Sequence, residues 1–321
     1  MKRFLTRRRL VVLGVIALFV AAFVAIGAVS RSSPSTSSTA VTSAKTGALL
    51  PYAAWYWTML VSPSNANLLL VGTNAGVLRS ANGGKTWKTA GLTNLNTTSL
   101  AQVGSSIYAG GVVGPNPIAR IGTGRVAPAG TAVLSVSTDD GKTWKTVHPS
   151  GLPKTTIEAM NIDPANPKAL YVLLNTGGLY RSTDGARSFE LVTSKIGIIP
   201  YAFTITNNGQ FVGGDMDSGS HTSPNAKAWT ATAFTDASGG HMVMEYAVQP
   251  SGASRVLMTS MGIEMSTDGG KTWHLVLKDG GNVMFGPVAY APKSPQVAYA
   301  IGFDRSIWRS DDGGQTWSQI P

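Results

Sequence analysis

The sequence contains no cysteine, which excludes a disulfide framework, a lipid-modified cysteine and thiolate chemistry. Acidic residues are also scarce, with 16 Asp and Glu against 26 Lys and Arg. Seven of these basic residues and no acid fall within residues 1–48, so the rest of the chain holds 19 basic and 16 acidic residues. Because the remainder is nearly balanced and has no clustered basic stripe, we expect no nucleic-acid partner.

Common signatures of cofactor and metal sites are missing as well. The sequence has no P-loop, no dinucleotide-binding fingerprint and no G-x-S-x-G nucleophile turn. The four histidines show no spacing typical of metal ligands. Asp215 and Asp217 stand in a D-x-D-x-G stretch, but the bidentate Glu that completes a calcium loop is absent downstream. We therefore expect no cofactor and no bound metal.

The amino terminus combines positive charge with an apolar run. Residues 1–9 carry five Lys or Arg, and residues 10–29 are uncharged and long enough to span a bilayer as a helix. The flanking charge predicts a cytoplasmic amino terminus. We favour an uncleaved anchor over a signal peptide, because the run exceeds a usual signal h-region. The Ser/Thr-rich residues 30–48 are predicted to be a flexible linker to a domain at residues 49–321.

A short motif recurs six times along this domain. Its clearest copy, Ser-Thr-Asp-Gly-Gly-Lys-Thr-Trp, occupies residues 266–273. The other copies occupy residues 80–87, 137–144, 182–189, 223–229 and 310–317. Their first serines are 57, 45, 41, 43 and 44 residues apart. A period near this length is typical of one four-stranded propeller blade.

The chemistry of the motif predicts a hairpin turn. An Asp or Asn side chain accepts hydrogen bonds from nearby amides, and the following glycine allows a positive φ. Ser and Thr hydroxyls satisfy further turn amides, and the final aromatic residue begins the next strand. The residues predicted to build these turns are Ser80, Asn82, Trp87, Ser137, Asp139, Trp144, Ser182, Asp184, Phe189, Ser266, Asp268, Trp273, Ser310, Asp312 and Trp317.

The motif resembles the Asp-box, or BNR repeat, of sialidases, sortilin-type receptors, some endoglucanases and Ycf48-like photosystem II assembly factors. The resemblance implies an all-β fold, a six-bladed β-propeller. Each blade would have four antiparallel strands, A to D, with the Asp-box in the turn between strands C and D. One transmembrane or signal helix would precede it. In this superfamily the box is structural and lies away from the active site.

The strand order predicts where recognition would occur. The C–D and A–B turns of a blade share one face, so the D–A and B–C loops share the opposite, top face. The second unit carries an insertion at about residues 111–130 between its strands B and C, and long loops on rigid scaffolds often bind partners. Our candidate binding residues on the top face are Arg120, Arg125, His241 and Arg305.

Glycoside hydrolysis is the enzymatic hypothesis, because it needs two carboxylates that flank the scissile bond. The candidates are Asp215, Asp217, Asp236 and Glu245, from the fourth and fifth units. Sialidase activity is not expected, because the Phe/Tyr-Arg-Ile-Pro motif of sialidases is missing and residues 49–70 contain no Arg.

These observations favour a binding protein over an enzyme. We expect an exported, membrane-tethered propeller that binds an envelope or extracellular protein, or a surface glycan, through its top face. The alternatives are a BNR-type glycoside hydrolase and a passive spacer. The predicted location is the cell membrane, with a single pass and an extracytoplasmic propeller, or secretion if the helix is cleaved.

Overall fold

The structure is a computed structural model that describes residues 47–53, 55–113, 132–196, 202–215, 219–234, 243–250, 252, 254–277 and 285–321. The predicted anchor at residues 10–29 and most of the predicted linker lie outside these residues. Within the described part of the chain, the regular structure is entirely β, and no helix there is long and apolar enough to cross a membrane.

The described strands form six sheets in chain order, which we number as blades 1 to 6. Blade 1 contains β1 (Tyr56–Val61), β2 (Leu69–Thr73), β3 (Gly76–Ser80) and β4 (Lys88–Thr89). Blade 2 contains β5 (Leu95–Val103), β6 (Ser106–Val113), β7 (Ala132–Ser137) and β8 (Lys145–Val147). Blade 3 contains β9 (Ile157–Asp163), β10 (Asn166–Leu174), β11 (Leu179–Ser182) and β12 (Glu190–Thr193). Blade 4 contains β13 (Ala202–Ile205), β14 (Phe211–Asp215), β15 (Gly219–Ser223) and β16 (Thr230–Ala231). Blade 5 contains β17 (Ala233–Phe234), β18 (Glu245–Val248), β19 (Val256–Thr259), β20 (Ile263–Ser266) and β21 (Thr272–Leu277). Blade 6 contains β22 (Phe285–Ala291), β23 (Ser294–Gly302), β24 (Ile307–Ser310) and β25 (Ser318–Gln319).

Each blade consists of consecutive antiparallel strands, so the predicted six-bladed propeller is confirmed. The inner strands β1, β5, β9, β13, β18 and β22 contact one another in this order, and β22 contacts β1 to close the ring. Blade 5 differs from the four-stranded expectation through β17, which pairs in parallel with β21. The N–H of Ala233 donates to the carbonyl of Lys271 at 3.0 Å and begins this extra pairing.

Burial falls from the inner to the outer strands. Every residue of β22 is buried, whereas both residues of β4 are exposed. Inner strands such as β5 and β22 are largely buried because each blade is packed between two others. The apolar clusters accordingly lie between successive blades: Met59 and Leu69 of blade 1 pack with Tyr299 and Ile307 of blade 6.

A short segment before β1 completes the ring, a feature that the sequence pattern did not predict. We call residues 47–51 the closing strap. The N–H of Ala48 donates to the carbonyl of Ile320 at 3.1 Å, and the N–H of Leu50 donates to the carbonyl of Arg305 at 3.0 Å. Leu49 forms a β-bridge with Ser306, and Leu50 is only 1% exposed. The chain before blade 1 is therefore fixed to blade 6.

The predicted assignment of faces is also confirmed. In blade 1 the N–H of Gly83, within the Asp-box, donates to the carbonyl of Asn67 in the A–B turn at 2.8 Å. In blade 5 the N–H of Gly269 donates to the carbonyl of Ser254 in the A–B turn at 2.9 Å. Asp-box turns and A–B turns therefore share what we call the box face. β6 ends at Val113 and β7 begins at Ala132 at the opposite, top face, and the rest of the predicted insertion lies outside the described residues.

Candidate functional site

The Asp-boxes are closed hydrogen-bonded turns. In blade 5 the Ser266 hydroxyl donates to Asp268 Oδ1 at 2.7 Å and accepts the N–H of Gly270 at 2.8 Å. The Asp268 carboxylate accepts the N–H of Thr272 at 3.0 Å and its hydroxyl at 2.6 Å. The same Ser–Asp or Ser–Asn contact occurs in the other boxes, at Ser80–Asn82, Ser137–Asp139, Ser182–Asp184, Ser223–Asn225 and Ser310–Asp312.

These bonds satisfy the box carboxylates and change their acidity. Hydrogen bonds from the hydroxyl and N–H of Thr143 lower the pKa of Asp139 below its usual range, and Ser188 has the same effect on the pKa of Asp184. Burial raises the pKa of Asp268, but the bonds from Thr272 and the other turn groups outweigh it and the pKa is lowered. Ionised, fully bonded carboxylates of this kind hold turns together, so the boxes are structural.

Some box tryptophans bond within their own turn, as Trp87 and Trp317 do, and others reach a neighbouring blade. Trp144 Nε1 of blade 2 donates to the carbonyl of Ala90 in blade 1 at 2.7 Å. Arg79 Nε of blade 1 donates to the carbonyl of Asp140 in the blade 2 box at 2.9 Å. These two side chains of the repeat therefore help to assemble the ring.

The top ends of three consecutive inner strands carry β-bulges. The strand register shifts at Trp57 in β1, at Thr98 in β5 and at Glu158 in β9. A bulge re-aims a side chain, and bulges recur beside functional sites. The Thr98 hydroxyl donates to the carbonyl of Ile157 on the next inner strand at 2.5 Å. The bulged positions thus lie at one level around the top of the ring.

Glu245 lies at the same end of the inner strand of blade 5. It is the first residue of β18, and its Oε1 accepts the N–H of Tyr246 at 3.2 Å. Although the residue is partly exposed, burial of its carboxyl group raises the pKa to about 8. We call Trp57, Thr98, Glu158 and Glu245 the inner rim.

Two carboxylates of blade 5 do not form a catalytic pair with each other. In the strand register, Glu245 lies opposite Thr259, whereas Glu264 lies opposite Met258, which itself lies opposite Tyr246. Residues in adjacent cross-strand rows point to opposite sides of a sheet. Tyr246 itself donates its hydroxyl to Ser220 of blade 4 at 2.9 Å, away from the Glu245 side.

Several predicted site residues fall outside what the structure describes. Asp215 ends β14 opposite Gly219, but its side chain is not described. The other predicted residues outside the described part are Arg120, Arg125, Asp217, Asp236 and His241. Their catalytic or binding roles stay predictions. Within the described residues, no group of three or more His, Cys, Asp or Glu could hold a metal ion.

Arg305 is described, and it contacts the closing strap. It adopts φ 71°, unusual for a residue with a side chain, in the B–C turn of blade 6. Its carbonyl accepts the N–H of Leu50, and its guanidinium donates to the carbonyl of Leu50 at 3.5 Å. The position is on the top face as predicted, and its role in ligand binding stays a prediction.

Sequence reasoning missed an aromatic cluster where blade 6 meets blade 1. The rings of Trp55 and Trp57 stack at 5.5 Å with an interplanar angle of 16°. Phe303, from the B–C turn of blade 6, meets Trp55 edge-on at 6.0 Å. The Trp-Tyr-Trp sequence at residues 55–57 was the available signal, since Tyr56 is buried between two partly exposed tryptophans. The cluster places apolar, stackable surface beside the inner rim.

The six closed Asp-box turns on a six-bladed wheel define an Asp-box β-propeller. Within that class, the chain belongs to the family described as "Photosynthesis system II assembly factor YCF48", whose family model matches residues 58–321.

Known proteins similar to this chain include a binding protein and glycan-degrading enzymes. A structure described as "YCF48 bound to D1 peptide" has 20% identity and a TM-score of 0.51, over 85% of this chain and 82% of that one. A GH74 xyloglucanase from Xanthomonas campestris has 16% identity and a TM-score of 0.55, over 86% of this chain and 46% of that one. A xyloglucanase from Hypocrea jecorina (strain QM6a) is 27% identical over 209 residues, 60% of this chain.

This chain corresponds to only part of each xyloglucanase. The matched region spans 23% of the length of the Hypocrea jecorina xyloglucanase and less than half of the Xanthomonas campestris enzyme. The solved structures are below 25% identity and show the shared fold. The family model and the solved structures together establish the family and the fold.

Proposed function

We propose that this protein is an exported, membrane-tethered binding propeller that recognises an envelope protein, or a surface glycan, through the inner rim of its top face. The observation that carries the proposal is the set of bulges at Trp57, Thr98 and Glu158 on three successive inner strands. The inner rim places the Trp57 ring and the carboxyl groups of Glu158 and Glu245 at one end of a rigid ring, where the bonded Thr98 hydroxyl joins two neighbouring inner strands.

The chemistry of the two faces supports recognition at the top. On the box face, the box carboxylates and hydroxyls are already bonded within their own turns, as in the contacts of Ser266 with Asp268 and Gly270. At the top, the stacked Trp55 and Trp57 offer apolar area that suits either the side chains of a peptide or the face of a sugar ring. Rigid aromatic side chains are frequent anchors in binding sites.

Two similar proteins support the two ligand classes. The YCF48 structure with a D1 peptide concerns a propeller of the same family with a bound peptide. The GH74 xyloglucanase shares the fold and belongs to a class that acts on a polysaccharide. We favour a protein partner, because the family model covers the whole wheel from residue 58 to residue 321.

The proposal is tested by screening the purified 321-residue chain against arrays of envelope-protein peptides and surface glycans. We expect Trp57→Ala to weaken binding of the ligand identified in this screen by at least about tenfold, the usual effect of losing an aromatic anchor. Lys85→Ala, at an exposed Asp-box position, is the matched control and should bind normally. Loss of binding in Lys85→Ala with normal binding by Trp57→Ala would place recognition on the box face and refute the proposal.

Glycoside hydrolysis is the second candidate, and one observation favours it. The pKa of Glu245 is raised to about 8, as needed for a carboxylic acid that stays protonated at neutral pH and donates a proton to a leaving group. A second carboxylate would have to come from another top-face residue, such as Asp215. Release of reducing ends from a glycan, abolished in Glu245→Gln, would establish this activity. A glycan that binds without being cleaved would exclude hydrolysis of that glycan.

A further inference from the structure

An exposed apolar surface marks the seam between blade 6 and blade 1. It consists of Leu49, Tyr52 and Phe303, which we call the seam patch. Tyr52 is 83% exposed and Leu49 is 45% exposed, while Phe303 is partly exposed. Large apolar side chains grouped on a surface mark contact sites more often than singly scattered ones do.

The backbone beneath the seam patch is fixed. Leu50, between the two exposed residues, is buried and donates its N–H to Arg305. The Tyr56 hydroxyl donates to the carbonyl of Pro51 at 2.7 Å and accepts the N–H of Ala53 at 3.2 Å. These bonds hold Leu49 and Tyr52 outward on a defined turn. Their exposure is thus part of the folded structure.

The position of the seam patch along the chain indicates what it would meet. Residues 30–46 are the 17 residues between the predicted anchor at residues 10–29 and the closing strap. A flexible linker of this length has a root-mean-square span of roughly 23 Å. The described chain begins at the closing strap, so the predicted anchor and linker would hold this edge close to a bilayer. Such tethering gives an effective concentration of about millimolar, which lets weak contacts form.

We propose that the seam patch docks into the interfacial layer of the membrane that anchors the chain; this rests on the anchor in the proposed function. Tyr and Trp are enriched at membrane interfaces, where a polar tip meets water and an apolar ring meets lipid. Leu49 adds an aliphatic side chain to this surface. Docking fixes which edge of the wheel faces the lipid, and it holds the inner rim beside partners in the same membrane.

The absence of cysteine makes a direct test possible in the full chain. A single Pro51→Cys substitution, at an exposed strap position, carries a polarity-sensitive fluorophore in the chain reconstituted into phosphatidylcholine–phosphatidylglycerol vesicles. The matched control is Leu191→Cys, because Leu191 is 55% exposed on β12 of blade 3, across the ring. We expect a blue shift, and quenching by nitroxide-labelled lipid, at position 51 only.

A second variant separates docking from mere proximity. Leu49→Ser with Tyr52→Ser, in the Pro51→Cys chain, should return the probe to water and reduce the ratio of docked to undocked propeller by about tenfold. Both side chains are exposed, so the urea midpoint of unfolding should remain unchanged and exclude misfolding as the cause.

The outcomes distinguish the anchor from the docking. Release of the chain from vesicles by alkaline carbonate would refute the anchor, and the docking proposal with it. A chain that stays with the vesicles while both probes report equal polarity would refute docking alone. A shift that requires an added protein, or that grows with the protein-to-lipid ratio, would assign the seam patch to a protein partner or to a second copy and overturn the lipid proposal.

Discussion

Replacing Leu50 with Ala should destabilise the whole wheel, although Leu50 lies outside every blade. Its side chain is 1% exposed and packs in the cluster between blades 1 and 6, with Tyr56, Met59 and Ile320. Truncation of a buried leucine costs about 2–5 kcal/mol, since it removes apolar contact and leaves a cavity. For a domain of this size that corresponds to a fall in melting temperature of roughly 4–20 °C.

The neighbouring residue supplies the control. Leu49 is on the same strap, but it is 45% exposed, so Leu49→Ala should change the free energy of unfolding by less than about 0.5 kcal/mol. Urea unfolding of the 321-residue chain, followed by tryptophan fluorescence, compares the two variants directly. Equal midpoints for Leu50→Ala and the unsubstituted chain would show that the ring closes without the strap, and the reasoning would be refuted.

Three further predictions concern acidity and the inner rim. The hydrogen bonds in the blade 2 box lower the folded-state pKa of Asp139. The stability that they provide is therefore present above about pH 3.9 and is lost as the pH falls. Between pH 5 and pH 3, the urea midpoint of Asp139→Asn should decline less than that of the unsubstituted chain. Burial raises the pKa of Glu245 to about 8, so stability should fall as the pH rises from about 4.3 to 8. Glu245→Gln should remove this fall in the urea midpoint, and an unchanged slope would contradict the burial. Thr98→Val loses the 2.5 Å bond to Ile157 and should cost about 1–3 kcal/mol in urea unfolding, whereas a neutral result would show that the bond contributes nothing.

The sequence predicts the wheel well because its repeat is local. Each Asp-box is a turn whose bonds join residues two to four positions apart, such as Ser137 with Asp139 and Gly141. Such local motifs can be recognised in a single sequence. The number of copies then predicts the number of blades, and the spacing between copies indicates four strands in each.

The closing strap and the inner rim depend on contacts that no local pattern reports. The N–H of Leu50 finds its acceptor at Arg305, 255 residues away, and only the closed ring brings them together. The bulges at Trp57, Thr98 and Glu158 each shift one residue against a neighbouring strand, which leaves composition and alternation almost unchanged. Glu245 could be placed on an inner strand from the sequence, but the burial that raises its pKa could not.

The most direct test of recognition on the top face compares photo-crosslinkers at two exposed positions in living cells. One is at Asp304, in the top-face turn of blade 6, and the other is at Lys85, in the blade 1 Asp-box. The account predicts a discrete adduct from position 304 that disappears in the Trp57→Ala background, and no adduct from position 85. An adduct from position 85 alone would place the partner on the box face and contradict the account.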